Sequence, residues 1–311
     1  MTTLARKLMP TRSSRTLPGL LFVRGHPRSG TNWVGSLLNL HPSIYCTGEF
    51  HFEPIYHAAE HAKAFPWQLT HSEPVRSKLD SAIRGLIRQC ITTACRAECP
   101  RADLAWLGDR TSRPLFDIVP GERYIWILRD GRDVTVSWTF HQLRLGPEVI
   151  EKSIPPGPRE HLLEVSEEFR ADPDIFRKYP HRLLTNQAWV RHVAGGWNHY
   201  LQTDLEQADR IASRATPSQL FRLRYESLHA DTENICRRLY EFLDLDPSLA
   251  KRPSKKTGTS PGFGRDDPSN FRRKGEVGDW KNYFTDEAKA WFNEVAGESL
   301  VQAGYASDRD W

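Results

Sequence analysis

The sequence is short of several things, and each shortage removes a class of protein. Five cysteines in 311 residues, Cys46, Cys90, Cys95, Cys99 and Cys236, are an odd number at irregular spacing and make a poor disulfide framework. Cys95 and Cys99 can share a helical face, but no fourth ligand stands at a metal-site spacing. The thiols therefore read as reduced, and no metal is expected. Long apolar runs are also missing. Leu20-Leu21-Phe22-Val23, among the longest, suits a buried strand and falls far short of a bilayer span, so no transmembrane segment is expected. Strong net charge is absent: 43 Lys plus Arg against 39 Asp plus Glu leave +4, too mild for bulk nucleic-acid binding. The most telling shortage is local. No acidic residue precedes Glu49, while Arg6, Lys7, Arg12, Arg15, Arg24 and Arg28 all do. The N-terminal part thus carries a positive field suited to an anionic ligand. Residues 1–18 have no apolar h-region and are not a secretory signal; they read as a flexible basic arm, with an organelle transit peptide open on composition.

What remains is a soluble globular composition, 39% hydrophobic and 26% charged. Strand and helix signals alternate along it. Residues 20–24, 124–128 and 220–224 read as strands. Residues 31–40, 75–95, 133–143, 187–205, 231–243 and 285–303 read as helices. Residues 147–158 hold four prolines and a glycine and read as a surface loop. Residues 251–273 are rich in Lys, Arg, Pro, Gly and Ser without apolar periodicity, and read as a long loop or lid. The expected fold is α/β, a P-loop-type, mostly parallel sheet flanked by helices. A single domain over residues 19–311 carries a C-terminal lid at about residues 251–284.

The first strand runs into a Gly/Pro/Ser turn and then a helix, so amides at the helix start can converge on a phosphate. Gly25 and Gly30 have the spacing of a nucleotide P-loop. Thr31-Asn32 follows Gly30 where a nucleoside triphosphatase needs Lys and then Ser or Thr. Magnesium-nucleotide chemistry is disfavoured, and a cation, Arg28, stands inside the loop instead. An ordinary strand–turn–helix connection with a surface arginine is the plain alternative.

Pro27-Arg28-Ser29-Gly30-Thr31-Asn32-Trp33 resembles the 5′-phosphosulfate loop of the sulfotransferases that use 3′-phosphoadenosine 5′-phosphosulfate (PAPS). The resemblance implies a phosphosulfate contact for Arg28, Ser29, Gly30, Thr31 and Asn32, with Trp33 on the adenine. Residues 124–138, YIWILRDGRDVTVSW, resemble the family's 3′-phosphate motif, which implies that role for Arg129 and Ser137. Residues 271–284, FRRKGEVGDWKNYF, look like its C-terminal Arg-Lys-Gly motif. There Arg273, Lys274 and Gly275 would close on the 3′-phosphate and Phe271 on the adenine. Tyr225 matches an adenine-contacting tyrosine. The product of the donor would be adenosine 3′,5′-bisphosphate.

Sulfuryl transfer needs an in-line acceptor, a base for its proton and positive charge on the departing phosphate. Arg28 supplies the charge. Cytosolic members place a His base before the 3′-phosphate strand, but Gly108-Asp109-Arg110-Thr111-Ser112 contains none. Residues 41–49, HPSIYCTGE, resemble instead the segment of tyrosylprotein and related sulfotransferases that ends in a catalytic Glu, here Glu49. Partial burial would raise its pKa to a useful value. Neutralising Arg28 or capping a helix are its plain alternatives. His51, Glu53 and Asp109 are reserve candidates, and Arg110 corresponds to a catalytic Lys of the tyrosylprotein group.

The expected activity is metal-independent transfer from PAPS to a hydroxyl, or an amine, of a small-molecule or glycan acceptor. A P-loop kinase and a non-catalytic adenine-nucleotide-binding protein are the competing readings. With no membrane anchor ahead of the domain, a cytoplasmic enzyme is expected.

Overall fold

The computed structural model describes residues 18–50, 52, 54–55, 57–58, 61, 72–111, 122–214, 219–260, 266–270 and 273–311. The basic arm, apart from Pro18, lies outside them, as do His51, Glu53 and Phe271. In chain order the elements are β1 (Gly19–Arg24), α1 (Thr31–Leu38), β2 (Ile44–Cys46), α2 (Glu73–Ala97), β3 (Trp106–Thr111) and β4 (Arg123–Leu128). Helices α3 (Gly131–Leu145), α4 (Pro147–Ser153), α5 (Pro158–Ala171), α6 (Ile175–Lys178) and α7 (Gln187–Arg214) follow. β5 (Leu220–Arg224), α8 (Tyr225–Ala230), α9 (Thr232–Phe242) and α10 (Asp286–Gln302) complete the order.

The strands form one parallel sheet in the order β2-β3-β1-β4-β5. β1 is central and every residue of it is buried, which its uninterrupted apolar run requires. Its side chains alternate between two clusters. Leu21 and Val23 pack with Trp33, Val34 and Leu37 of α1 and with Leu239 of α9. Leu20 and Phe22 pack with Ile87, Ile91 and Cys95 of α2. A third cluster joins α3, α5, α7 and α10 around Phe140, Trp189, Trp197 and Phe292. Trp189 and Trp197 are thus core residues.

The expected strands and helices are all present, with ends moved by a few residues in most and α7 extended to Arg214. Residues 147–158 depart from expectation. Pro147 stands at the first turn of α4 and Pro158 at that of α5, where a missing N–H is no loss. The prolines start helices instead of a loop. β2 and β3 were not anticipated, because β2 is only three residues long and Gly108, Asp109 and Arg110 break the apolar pattern of β3.

Because β1 has β3 on one side and β4 on the other, the chain reverses direction of travel across the sheet there. Ligands of open parallel sheets bind at such a point, beyond the carboxyl ends of the strands. The ends of β1, β4 and β5 are neighbours, Arg24 opposite Trp126 and Leu128 opposite Arg224. Beneath them Arg24 and Asp204, each 3% exposed, form a 2.7 Å ion pair, and Arg24 stacks on Tyr200. Replacing Asp204 with Ala leaves that guanidinium buried without its carboxylate. A loss of about 3 kcal/mol is expected in denaturant unfolding, and an Arg24→Met, Asp204→Leu double variant is expected to recover most of it.

Candidate functional site

The loop after β1 is tightly wound. The Ser29 amide donates to the His26 carbonyl at 2.9 Å, and the amides of Trp33 and Val34 bond the Gly30 carbonyl. Arg28 has φ +75°, a left-handed conformation that costs a non-glycine residue roughly 1 kcal/mol or more. Gly30 is left-handed as well, at +98°, and a Cβ there would stand 2.8 Å from the Tyr225 ring. Only glycine fits. α1 then begins with no side-chain cap and no acid in its first turn, which leaves its leading amides available to an anion.

The turn after β4 supplies Arg129. Its guanidinium donates to the Arg28 carbonyl at 3.1 Å and the Glu276 carbonyl at 2.9 Å, and it lies 4.2 Å over the Tyr225 ring. Asp130 caps α3 through the Arg132 amide. Asp133, Ser137, Phe140 and Arg144 then recur at helical spacing, so one face of α3 runs along the site. Arg28 Nε donates to Ser137 Oγ at 3.2 Å.

The described residues between Thr259 and Trp280, called the lid below, meet these elements largely through side-chain bonds to their main chain. Trp33 Nε1 donates to the Thr259 carbonyl at 2.8 Å, and the Tyr225 hydroxyl to the Gly275 carbonyl at 3.0 Å. The Asp133 carboxylate accepts the amides of Gly278 at 2.8 Å and Trp280 at 2.9 Å. Trp280 is buried against Phe284 and Trp311, with Arg132 4.0 Å over its ring. Arg273 and Lys274 meet carboxylates within the lid: Arg273 pairs with Asp266 and Asp279, and Lys274 with Asp279 and Glu276.

Together these parts enclose a pocket of about 860 Å³, open solvent at its mouth included. Arg28, Gly30, Thr31, Asn32 and Trp33 line it, as do Arg129, Ser137 and Tyr225, and Arg273, Lys274 and Gly275 from the lid. Three stretches singled out from the sequence therefore meet at one cavity. Ser29 is fully buried and does not line it. Asp133, Phe140, Arg144, Glu276 and Asp279 also line it and were not anticipated. The spacing of 133, 137, 140 and 144 was the available signal.

The electrostatics are those of crowded cations. Burial, then repulsion from Arg144 and Arg129, pushes the Arg28 guanidinium down to about 9, while Glu49 pulls the other way. Burial and Arg273 push Arg144 down to about 10. His26 and His141 are each lowered to about 4, His26 by burial and His141 by burial and then Arg28. Both imidazoles are neutral at physiological pH.

The candidate bases lie differently from expectation. Glu49 is exposed and not partly buried as expected, and it acts electrostatically on Arg28. Asp109 is fully buried and does not line the pocket. Residues alternate along β3, and Asp109 falls on the side of Leu107 and Cys95, where it accepts from Thr47 Oγ1 at 3.3 Å. Burial lifts its carboxyl to about 6. Arg110 also stays outside the pocket lining. It runs past Gly35 and Gly48, where a Cβ would stand 2.8 and 2.5 Å from it, and its Nε holds the Thr47 carbonyl at 2.9 Å.

Two families match the chain: the sulfotransferase domain over residues 119–304 and the sulfotransferase family over residues 18–152. Cytosolic sulfotransferase 1 of Danio rerio is 28% identical over 199 residues, covering 58% of this chain and 54% of that one. A flavonol sulfotransferase-like protein of Flaveria bidentis is 24% identical over 319 residues, covering 96% of this chain and 86% of that one. The chain spans about half the length of several curated relatives that it matches, 54% and 56% in two of them. A mouse sulfotransferase solved with PAP overlays with a TM-score of 0.48 at 15% identity, covering 92% of this chain and 86% of that one. No helix among the described residues is long and apolar enough to cross a membrane.

Asp133 is the main tie between α3 and the lid, and an amide in its place has one acceptor oxygen for two buried amides. Asp133→Asn is therefore expected to loosen the lid and to speed tryptic cleavage at Arg273 and Lys274 by about tenfold or more. Cleavage at the wild-type rate would show that the remaining bonds suffice.

Proposed function

We infer, starting from a chain that belongs to the sulfotransferase family, that it transfers a sulfuryl group from PAPS to a hydroxyl or amine of a small-molecule or glycan acceptor. The observation that carries this reading is the meeting of the Arg28 loop, the Arg129–Ser137 unit and the Arg273-Lys274-Gly275 turn at one cation-rich pocket. The donor set fits such a nucleotide. Arg129 Nε is buried with no hydrogen-bond partner, and the first turn of α1 is uncapped.

When bound, PAPS supplies an activated sulfuryl group on a phosphate leaving group. Arg28, with the amides of Gly30, Thr31 and Asn32, holds positive charge where the departing phosphate gains negative charge. Arg129, Ser137, Arg273, Lys274 and Gly275 hold the 3′-phosphate. Trp33 and Tyr225, in edge-to-face contact at 5.5 Å, form one aromatic wall for the adenine, to which the resemblance adds Phe271. Glu49 accepts the acceptor's proton, with His51 in reserve. Arg110 sets that segment through the Thr47 carbonyl. Thr31 at the P-loop lysine position supports metal-independent chemistry over a kinase. The name of one relative, flavonol 4′-sulfotransferase of Flaveria chlorifolia, favours a small phenolic acceptor, and several others are named cytosolic, which suits a cytoplasmic enzyme.

Calorimetric titration tests the donor class. Tight, metal-independent binding of adenosine 3′,5′-bisphosphate is expected, with 5′-AMP and magnesium-ATP both much weaker. A preference for magnesium-ATP would return the kinase reading. For the base, Glu49→Gln is expected to leave bisphosphate binding unchanged and to lower turnover by about a hundredfold or more. Undiminished turnover would remove Glu49 from that role and leave His51 to be tested.

A further inference from the structure

Arg144 is a pocket cation to which the family motifs assign no task. It lies seven residues beyond Ser137 on α3, about 10 Å along the helix axis. Side chains on a helix lean toward its N-terminus, so Arg144 reaches back over Phe140 toward Ser137. Three guanidiniums gather at that one turn. Arg28 donates to Ser137, Arg273 lies 4.5 Å over the Phe140 ring, and Arg144 acts on Arg28 more strongly than Arg129 does.

Their partners differ. Arg273 and Lys274 already meet Asp266, Asp279 and Glu276, so much of their charge is neutralised within the lid. Arg144 donates through one nitrogen to the Pro268 carbonyl at 3.2 Å and feels the charge of Asp267. Its other terminal nitrogen is buried with no hydrogen-bond partner. An unsatisfied buried donor on a cation that lines the pocket, beside the like charge of Arg273, calls for an anionic oxygen acceptor.

We propose that Arg144 binds the 3′-phosphate of the adenine nucleotide at the Ser137–Phe140 turn, and so helps to set the preference for 3′-phosphorylated nucleotides. This rests on the donor reading above. A compact, near-dianionic group at that turn would meet the Ser137 hydroxyl and the free nitrogen of Arg144, with Arg273 opposite. It would also separate the like charges of Arg28, Arg144 and Arg273.

The test is calorimetry on the full chain and on its Arg144→Gln and Arg144→Lys variants. Adenosine 3′,5′-bisphosphate, adenosine 3′-monophosphate and adenosine 5′-monophosphate serve as probes. In Arg144→Gln, both 3′-phosphorylated probes are expected to weaken by about tenfold or more, and the 5′-monophosphate by less than about twofold. Arg144→Lys keeps the charge and is expected to fall between the two. Equal weakening of all three probes in both variants would make Arg144 a structural clamp on Pro268 and overturn the proposal. Unchanged affinities would overturn it too, and would turn attention to an anionic acceptor. Failure of the unaltered chain to bind the bisphosphate would instead defeat the donor reading itself.

Discussion

A segment with little regular structure stays packed only if its main-chain groups find partners, and the described part of the lid finds many of them in side chains that line the pocket. Asp133 takes two lid amides, while Trp33, Arg129, Tyr225 and Arg144 donate to four lid carbonyls. The pocket and its cover are therefore one hydrogen-bonded structure. Asp133 and Arg129 stand at the start of α3, directly beyond the central part of the sheet, so the rigid strands set where the lid rests. A change at any of these side chains alters both the pocket wall and its cover.

The positive charge of the site follows from the same geometry. Parallel strands end side by side, and their loops deliver Arg28 and Arg129 to one place, with Arg144 following on α3. Burial first, and then neighbouring cations, Arg144 and Arg129 on Arg28 and Arg273 on Arg144, push both guanidiniums below the usual arginine range. The left-handed backbone at Arg28 adds strain to that repulsion. An anion bound there would offset part of the repulsion, and so would link ligand binding to fold stability in this chain.

Much of this was legible in the sequence because the features are local. The apolar run before Gly25, the glycine that the loop requires at position 30, and the apolar strand before Arg129 all declare themselves within a few residues. The Arg273-Lys274-Gly275 turn was legible only through its resemblance to a family motif. The pairing of Arg273 and Lys274 with Asp266, Asp279 and Glu276 was not, since side-chain partners depend on how an irregular segment folds back. β3 was missed because Gly108, Asp109 and Arg110 break its apolar pattern, and with it went the division of Asp109 and Arg110 between opposite faces of the sheet. The exposure of Glu49 likewise follows from three-dimensional neighbours that no spacing rule reports.

The use of main-chain atoms to hold the lid has a consequence for how such a chain can change. A carbonyl is present whatever residue carries it, and an N–H in every residue but proline, so many substitutions along the cover preserve its attachment. The anchoring positions, Trp33, Arg129, Asp133 and Tyr225, lie instead in the ordered frame. Substitution is thus tolerated at many positions of the cover and resisted in the frame that grips it. A cover held this way can change its side chains one at a time, Arg273, Lys274 and Gly275 at the pocket wall apart, with its attachment to the frame kept at every step.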